Sequence, residues 1–261
     1  MRVLITNDDG VFADGIRVLT ECASEVFEEV AVAAPDSERS AISQAISLHQ
    51  PLRVETLAPN RWAVSGTPVD SVFIALGHLL ADARPDLVLS GINHGPNVGF
   101  DTYYSGTVGA AREALVHGVP SVALSLSSRD TSALDALRPA IIDVLALVRE
   151  SGVPRGTLLN VNFPAPRPDT WPAARWAGVP GLRGLRVTDL GRRYYGNEVV
   201  YREDPRGRPY YWIGGAFPQH EEREGTDCDV VRSGFVSVTP LGLDATRRDA
   251  FPALAPFHQD G

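Results

Sequence analysis

Between residue 2 and about residue 128, short β-branched apolar runs alternate with stretches of helical periodicity. That order is the sequence form of a parallel sheet covered by helices, because parallel neighbours need a long crossover and the crossover is usually a helix. The run 2–7 reads as a first strand, 13–27 as an amphipathic helix and 29–35 as a second strand. The segments 51–57 and 61–66 read as an inserted hairpin. A helix is predicted over 67–80, opened by Thr67, Pro68 and Asp70 in capping positions. A third parallel strand over 86–93, a helix over 105–118 closed by Gly118 and a strand over 120–128 come next. The stretch 131–151 is helical, with Pro139 as a kink or a fresh start, and 157–164 reads as a last core strand.

Beyond residue 164 the character changes to Pro, Gly, Arg and Tyr. Residues 192–215 resemble two strands joined by the turn at 205–207. Their tyrosines read either as ordinary strand faces or as the contact surface of an oligomerisation arm. The expected organisation is a core over 1–164 and, over 165–261, a hairpin, a returning strand and a tail.

The 261 residues carry a net charge of −8, and all 24 basic residues are Arg. No general basic surface is available to recruit a nucleic-acid polymer or an anionic membrane. The absence of Lys excludes a P-loop lysine, a Schiff-base lysine and the lysine that receiver domains and most haloacid-dehalogenase-type phosphatases place near the phosphoryl site. Cys22 and Cys228 fit no paired metal or redox pattern. Charge arrives at position 8, too early for the apolar region of a signal peptide, and Asp143 interrupts the apolar run 140–148. The expected compartment is the cytoplasm, without membrane attachment.

In an open α/β sheet, ligands bind outside the carboxyl ends of the strands. Polar clusters stand at those ends: Asn7, Asp8 and Asp9 after the first strand, 35–43 after the second and 90–99 after the third parallel strand. Adjacent carboxylates repel each other unless a cation or a shared proton intervenes, and oxygen donors select a hard divalent ion. A lone Asp-Asp-Gly would be a turn, but three polar loops meeting at one sheet edge favour a metal site. Ser105, Gly106 and Thr107 precede a helix whose N-terminus can hold an anion. His94 is open to three readings: solvent-facing, satisfied within the core, or general acid. His49, His78 and His117 receive no role. The acidic run 221–229 reads as a solvated loop from which Thr226 and Asp227 could brace the site.

Six ordered stretches, ITNDDG, APDSERSA, SGTPVDSV, SGINHGPNVG, YSGTVGAAREA and GFVSVTPL, resemble the motifs of the SurE family, the stationary-phase survival nucleotidases. The resemblance runs from residue 2 to about residue 241. It implies a Rossmann-like, mostly parallel sheet flanked by helices, with a C-terminal β-hairpin extension used in oligomerisation, as a dimer or tetramer. It implies one divalent cation per subunit, Mg²⁺ or Mn²⁺ with Ca²⁺ as a substitute, held by Asp8, Asp9, Ser40 and Asn93. Asp8, Asp9 and Asn97 become the catalytic candidates. Asn97, Ser105, Gly106 and Thr107 become the phosphate-side residues, with Asn7, Ser43 and His94 supporting them. The implied activity is hydrolysis of nucleoside 5′- and 3′-monophosphates, and of short polyphosphate, by a metal-activated water. The segment after Ser40 varies in the family, so the preferred nucleotide does not carry over.

Three rivals fit less well. A dinucleotide-binding module lacks its glycine-rich turn after the first strand. A haloacid-dehalogenase-type phosphatase spaces its two Asp by one residue, whereas Asp8 and Asp9 are adjacent. A non-catalytic interaction protein would release no phosphate with or without EDTA.

Overall fold

A computed structural model describes residues 1–196, 198–214 and 219–257. Asn197 and Gly215, within the predicted hairpin segment, residues 216–218 and residues 258–261 of the tail lie outside the described residues. In chain order the elements are β1 (Arg2–Thr6), α1 (Asp14–Val26), β2 (Glu29–Pro35), β3 (Val54–Ala58), β4 (Arg61–Val64), α2 (Pro68–Ile74), β5 (Leu87–His94), α3 (Gly106–Val116) and β6 (Ser121–Leu126). They continue with α4 (Leu134–Ser151), β7 (Thr157–Phe163), β8 (Arg175–Trp176), β9 (Val179–Pro180), β10 (Gly184–Val187), β11 (Arg193–Tyr194), β12 (Val199–Glu203), β13 (Pro209–Ile213), β14 (Gln219–His220), α5 (Asp227–Arg232) and β15 (Phe235–Gly242).

Among the described residues, nine strands form one sheet in the order β10-β15-β7-β6-β5-β1-β2-β4-β3. The chain steps from β1 outward to β2 and β4, then returns to pair β5 with the other side of β1, parallel throughout. The reversal leaves a crevice at the carboxyl ends of β1 and β5, the position where such sheets bind ligands. The predicted hairpin exists as β3 and β4, but its second strand joins the main sheet parallel to β2 rather than standing apart. The returning strand β15 lies antiparallel on β7 and carries β10 on its other edge.

Both faces are covered. Val3 and Ile5 pack with Ile16, Leu19, Ile141 and Leu145 of α1 and α4. Leu4, between them, packs on the opposite face with Val72 of α2 and Ala110 and Ala114 of α3. In α1 the buried residues Ile16, Leu19, Cys22, Ala23 and Val26 recur at helical spacing, each large one worth about 1.5–3 kcal/mol of burial. The capping of α2 is as the sequence predicts: Thr67 accepts from the Asp70 amide and Asp70 from the Thr67 amide. Its last predicted turn is a π-helical turn over Ala75–Leu79. α4 runs through Pro139 without a fresh start. No helix among the described residues is long and apolar enough to cross a membrane.

β12 and β13 pair with each other, with Tyr201 opposite Tyr211 and Val200 opposite Trp212, around a turn in which Gly207 has φ +74°. Every residue of this pair is exposed.

Candidate active site

The first loop is shaped before it is charged. Asn7, fully buried, donates to the Gly10 carbonyl at 2.9 Å and accepts from the Gly10 amide at 3.2 Å, closing a tight turn. Gly10 sits at φ +101°, and a Cβ there would meet Ser37 backbone at 3.3 Å. Asn7 is thus the brace of the turn that presents Asp8 and Asp9.

Asp8 is 3% exposed, and its neighbour's side chain is 9% exposed. The Thr107 hydroxyl donates to Asp8 Oδ1, while the His94 amide donates to Asp9 Oδ2 at 3.2 Å. Burial, more than the mutual repulsion, pushes the Asp8 carboxyl up to about 6. Burial and the charge of Glu38 push Asp9 to about 6 as well. Among the described residues, the one basic side chain within ion-pair reach of them is His94, whose Nδ1 lies 3.7 Å from Asp9 and whose own pKa burial lowers. His94 Nε2 is buried without a partner.

The other predicted residues arrive from neighbouring strand ends. The Ser40 hydroxyl donates to Glu38 at 2.8 Å, tying the second loop to the carboxylate that acts on Asp9. Ser43, at φ +60°, donates its hydroxyl to the Tyr103 carbonyl and its amide to the Tyr104 carbonyl, so that loop lies on the segment entering α3. Asn93 lies at the end of β5, where the register with β6 shifts, and donates to the Gly95 carbonyl at 2.7 Å.

α3 begins on this cluster. A Cβ on Gly106 would strike Asp8 Cβ at 2.9 Å. The glycine is what allows the helix end to abut the carboxylate. Thr107, expected to meet the phosphoryl group, gives its hydroxyl to Asp8. Ser105 caps the helix by accepting from the Val108 amide at 3.1 Å.

Asn97 is held more firmly than its loop position suggests. Its amide donates to Asn162 Oδ1 at 2.8 Å, its carbonyl accepts from Asn160 and Asn162 side chains at 2.7 and 3.1 Å, and its own Nδ2 donates to Ser125 Oγ at 2.8 Å. Ser125, Asn160 and Asn162 are fully buried, and sequence reasoning misses them. A signal is present: Asn at i and i+2 in a buried strand share one face, and a buried amide needs partners. A second brace comes from Asp227, fully buried, which accepts from the Gly99 amide at 2.9 Å and the Gly191 amide at 2.8 Å. The acidic run is therefore solvated only up to Gly225.

The described residues contain no cluster of three or more His, Cys, Asp or Glu suited to a metal ion. The oxygen donors gathered here, two carboxylates with a hydroxyl and an amide on neighbouring loops, are the kind that hard cations take.

Residues 3–197 match the family model described as Survival protein SurE. A relative from Anaeromyxobacter sp. (strain Fw109-5), named 5'-nucleotidase SurE, is 48% identical over the whole chain and 97% of its own length. One of the same name from Gemmatimonas aurantiaca is 45% identical with both chains fully covered. The crystal structure of the SurE protein from Aquifex aeolicus superposes with a TM-score of 0.82 at 35% identity, covering 99% of this chain and all of that one. With its motifs at the switch point of the same sheet, this chain belongs to the SurE family.

Proposed function

We propose that this chain is a metal-dependent nucleotidase, a phosphomonoesterase that converts nucleoside monophosphates to nucleoside and phosphate at the β1–β5 crevice. The observation that carries the reading is a pair of adjacent carboxylates, Asp8 buried and Asp9 half-buried, unpaired with any Arg among the described residues and abutting a helix N-terminus. Two such charges are costly without a cation, and a phosphoryl group is the anion that a cation and a helix end grip together.

Asp8, Asp9, Ser40 and Asn93 would hold the ion, Mg²⁺ or Mn²⁺, with Ca²⁺ as a substitute. When bound, it supplies charge neutralisation and Lewis acidity toward the phosphoryl oxygens. Thr107 orients Asp8 through its hydroxyl, and the His94 amide orients Asp9. The first-turn amides of α3 and the locked Asn97 offer donors to the remaining oxygens, fixed before substrate arrives. The names of the relatives support the 5′ position; the motif resemblance supports 3′-monophosphates and short polyphosphate as further substrates. The exposed β12–β13 arm supports a homo-oligomer, dimer or tetramer, and the two free cysteines support a reducing compartment, the cytoplasm.

Phosphate release from a panel of 5′- and 3′-ribo- and deoxynucleoside monophosphates and tripolyphosphate, under Mg²⁺, Mn²⁺ or EDTA, tests this. Release that persists in EDTA, or an Asp9→Asn variant with full activity and unchanged metal dependence, overturns it.

A further inference from the structure

A cavity of about 310 Å³ opens where the C-terminal segment meets the core. None of Asp8, Asp9, Ser40, Asn93 or Thr107 lines it. Three guanidinium groups do, each from a different piece of chain: Arg167 beyond β7, Arg193 of β11 and Arg232 of α5. His220 of β14 joins them. Like charges gathered from separate segments repel one another unless something offsets them.

The carboxylates present offset only part of the charge. Asp101 pairs with Arg193 through one terminal nitrogen and also accepts from Tyr195 at 2.6 Å, while Asp229 lies 3.8 Å from Arg232. Arg167 has no ion-pair partner among the described residues. Arg193 Nε and His220 Nδ1 are buried with no hydrogen-bond partner. Buried polar atoms left unpaired cost free energy unless a ligand or water meets them. Much of the remaining lining is apolar, including Val98, Pro96, Pro164 and Trp171. A cavity lined by both arginines and apolar side chains suits a planar or tetrahedral oxyanion carried on an apolar body, because Arg presents a rigid fork of donors.

We propose that this cavity is a second anion site, separate from the strand-end cluster, that takes a phosphate-bearing small molecule. Arg167 and Arg232 grip the oxyanion from the open side, Arg193 Nε meets it from within, and Trp171 with the two prolines receives the apolar portion. Because Pro96 and Val98 flank Asn97, the occupant rests against the loop that carries that residue. The site requires no metal, which separates it from the role proposed for Asp8 and Asp9.

The test is calorimetric titration of the full chain in EDTA, with orthophosphate and adenosine 5′-monophosphate as separate probes. Without a cation the Asp8 and Asp9 carboxylates repel anions, so binding reports on the cavity. The expected result is saturable binding of one anion per chain, tighter for the nucleotide than for orthophosphate, and weakened about tenfold or more in Arg167→Ala and in Arg232→Ala. Both side chains are exposed, so the melting temperatures should stay with the parent's. Equal affinity for the two probes would confine the site to the oxyanion and remove the apolar lining from the proposal. No saturable binding in EDTA, or unchanged affinity in both variants, overturns it, and neither outcome bears on metal-dependent phosphate release.

Discussion

β6 and β13, Ser-Val-Ala-Leu-Ser-Leu against Pro-Tyr-Tyr-Trp-Ile, both carry the residues of a strand and meet opposite fates. Every residue of β6 is buried, and every residue of β13 is exposed, Ile213 by 93% and Trp212 by 64%. The difference lies in the neighbours that the chain brings to each. β6 is flanked by two parallel strands and covered by helices that cross back over the sheet, whereas among the described residues β12 and β13 pair only with each other. A two-stranded ribbon has no core of its own, so its apolar surface calls for a cover from elsewhere. Strand chemistry alone does not decide burial; connection does. The polar loops at the core strand ends are held still by that same layered burial, which the arm lacks.

The contrast predicts that chemistry fails when the core ends are changed and assembly fails when the arm is changed. The largest effect is expected at the carboxylates: Asp8→Asn or Asp9→Asn should lower turnover by about a hundredfold or more. The fold should respond in the opposite sense. Both carboxyls are raised above the ordinary carboxylate value to about 6 in the folded chain. The folded state therefore holds more protons than the unfolded state between about 4 and 6, and metal-free stability should fall as pH rises through that window. Asp8→Asn should flatten the decline and leave the metal-free protein firmer at pH 7; denaturant melts across pH in EDTA check it.

Asn160→Ala leaves the Asn97 carbonyl short of a donor inside the core. A loss of about 1–3 kcal/mol in urea denaturation is expected, with turnover falling further than KM changes. Parent turnover in this variant would detach the amide girdle from the chemistry. Ser40→Ala and Asn93→Ala remove neutral oxygen donors and should weaken Mg²⁺ affinity about tenfold, read by metal titration of activity, with melting temperatures held. Replacing Trp212 and Tyr211 together by Ser should shift the light-scattering mass toward the monomer while the isolated chain keeps its melting profile. An unchanged mass would mean that the arm is covered by something other than a second copy. The smallest effect is expected at the thiols: burial pushes Cys22 up to about 11 and Cys228 up to about 12, so neither should react with a disulfide reagent at pH 8 until the chain unfolds.

The strand ends are legible in the sequence because punctuation there is chemical: Asn7 to Gly10 and Ser105 to Thr107 announce a turn and a cap wherever they occur. Sheet order is not, since nothing local to 61–64 says that this strand, while keeping its hairpin partner on one edge, will run parallel to β2 on the other. Gly106 and Thr107 are recognisable as part of the site, but their contact with Asp8 is not. Their spacing places them at a helix start, and only the packing of that helix over β5 and β6, next to the end of β1, brings Asp8 within reach. Asn160 and Asn162 stay unread because a strand hides its facing direction until its neighbours are known.

Asp227 gives this architecture a distinctive response to cleavage. Its carboxylate holds Gly99, ahead of α3, together with Gly191, where the chain departs toward the arm. A protease nick at the exposed turn around Arg206 severs the covalent path between these points. It leaves the carboxylate in place, because α5 and β15 anchor it from the far side of the cut. Nicked chains should therefore stay associated as two fragments and keep the loop above β5 in order, whereas a chain ending before Thr226 would release that loop although every strand of the parallel core remained.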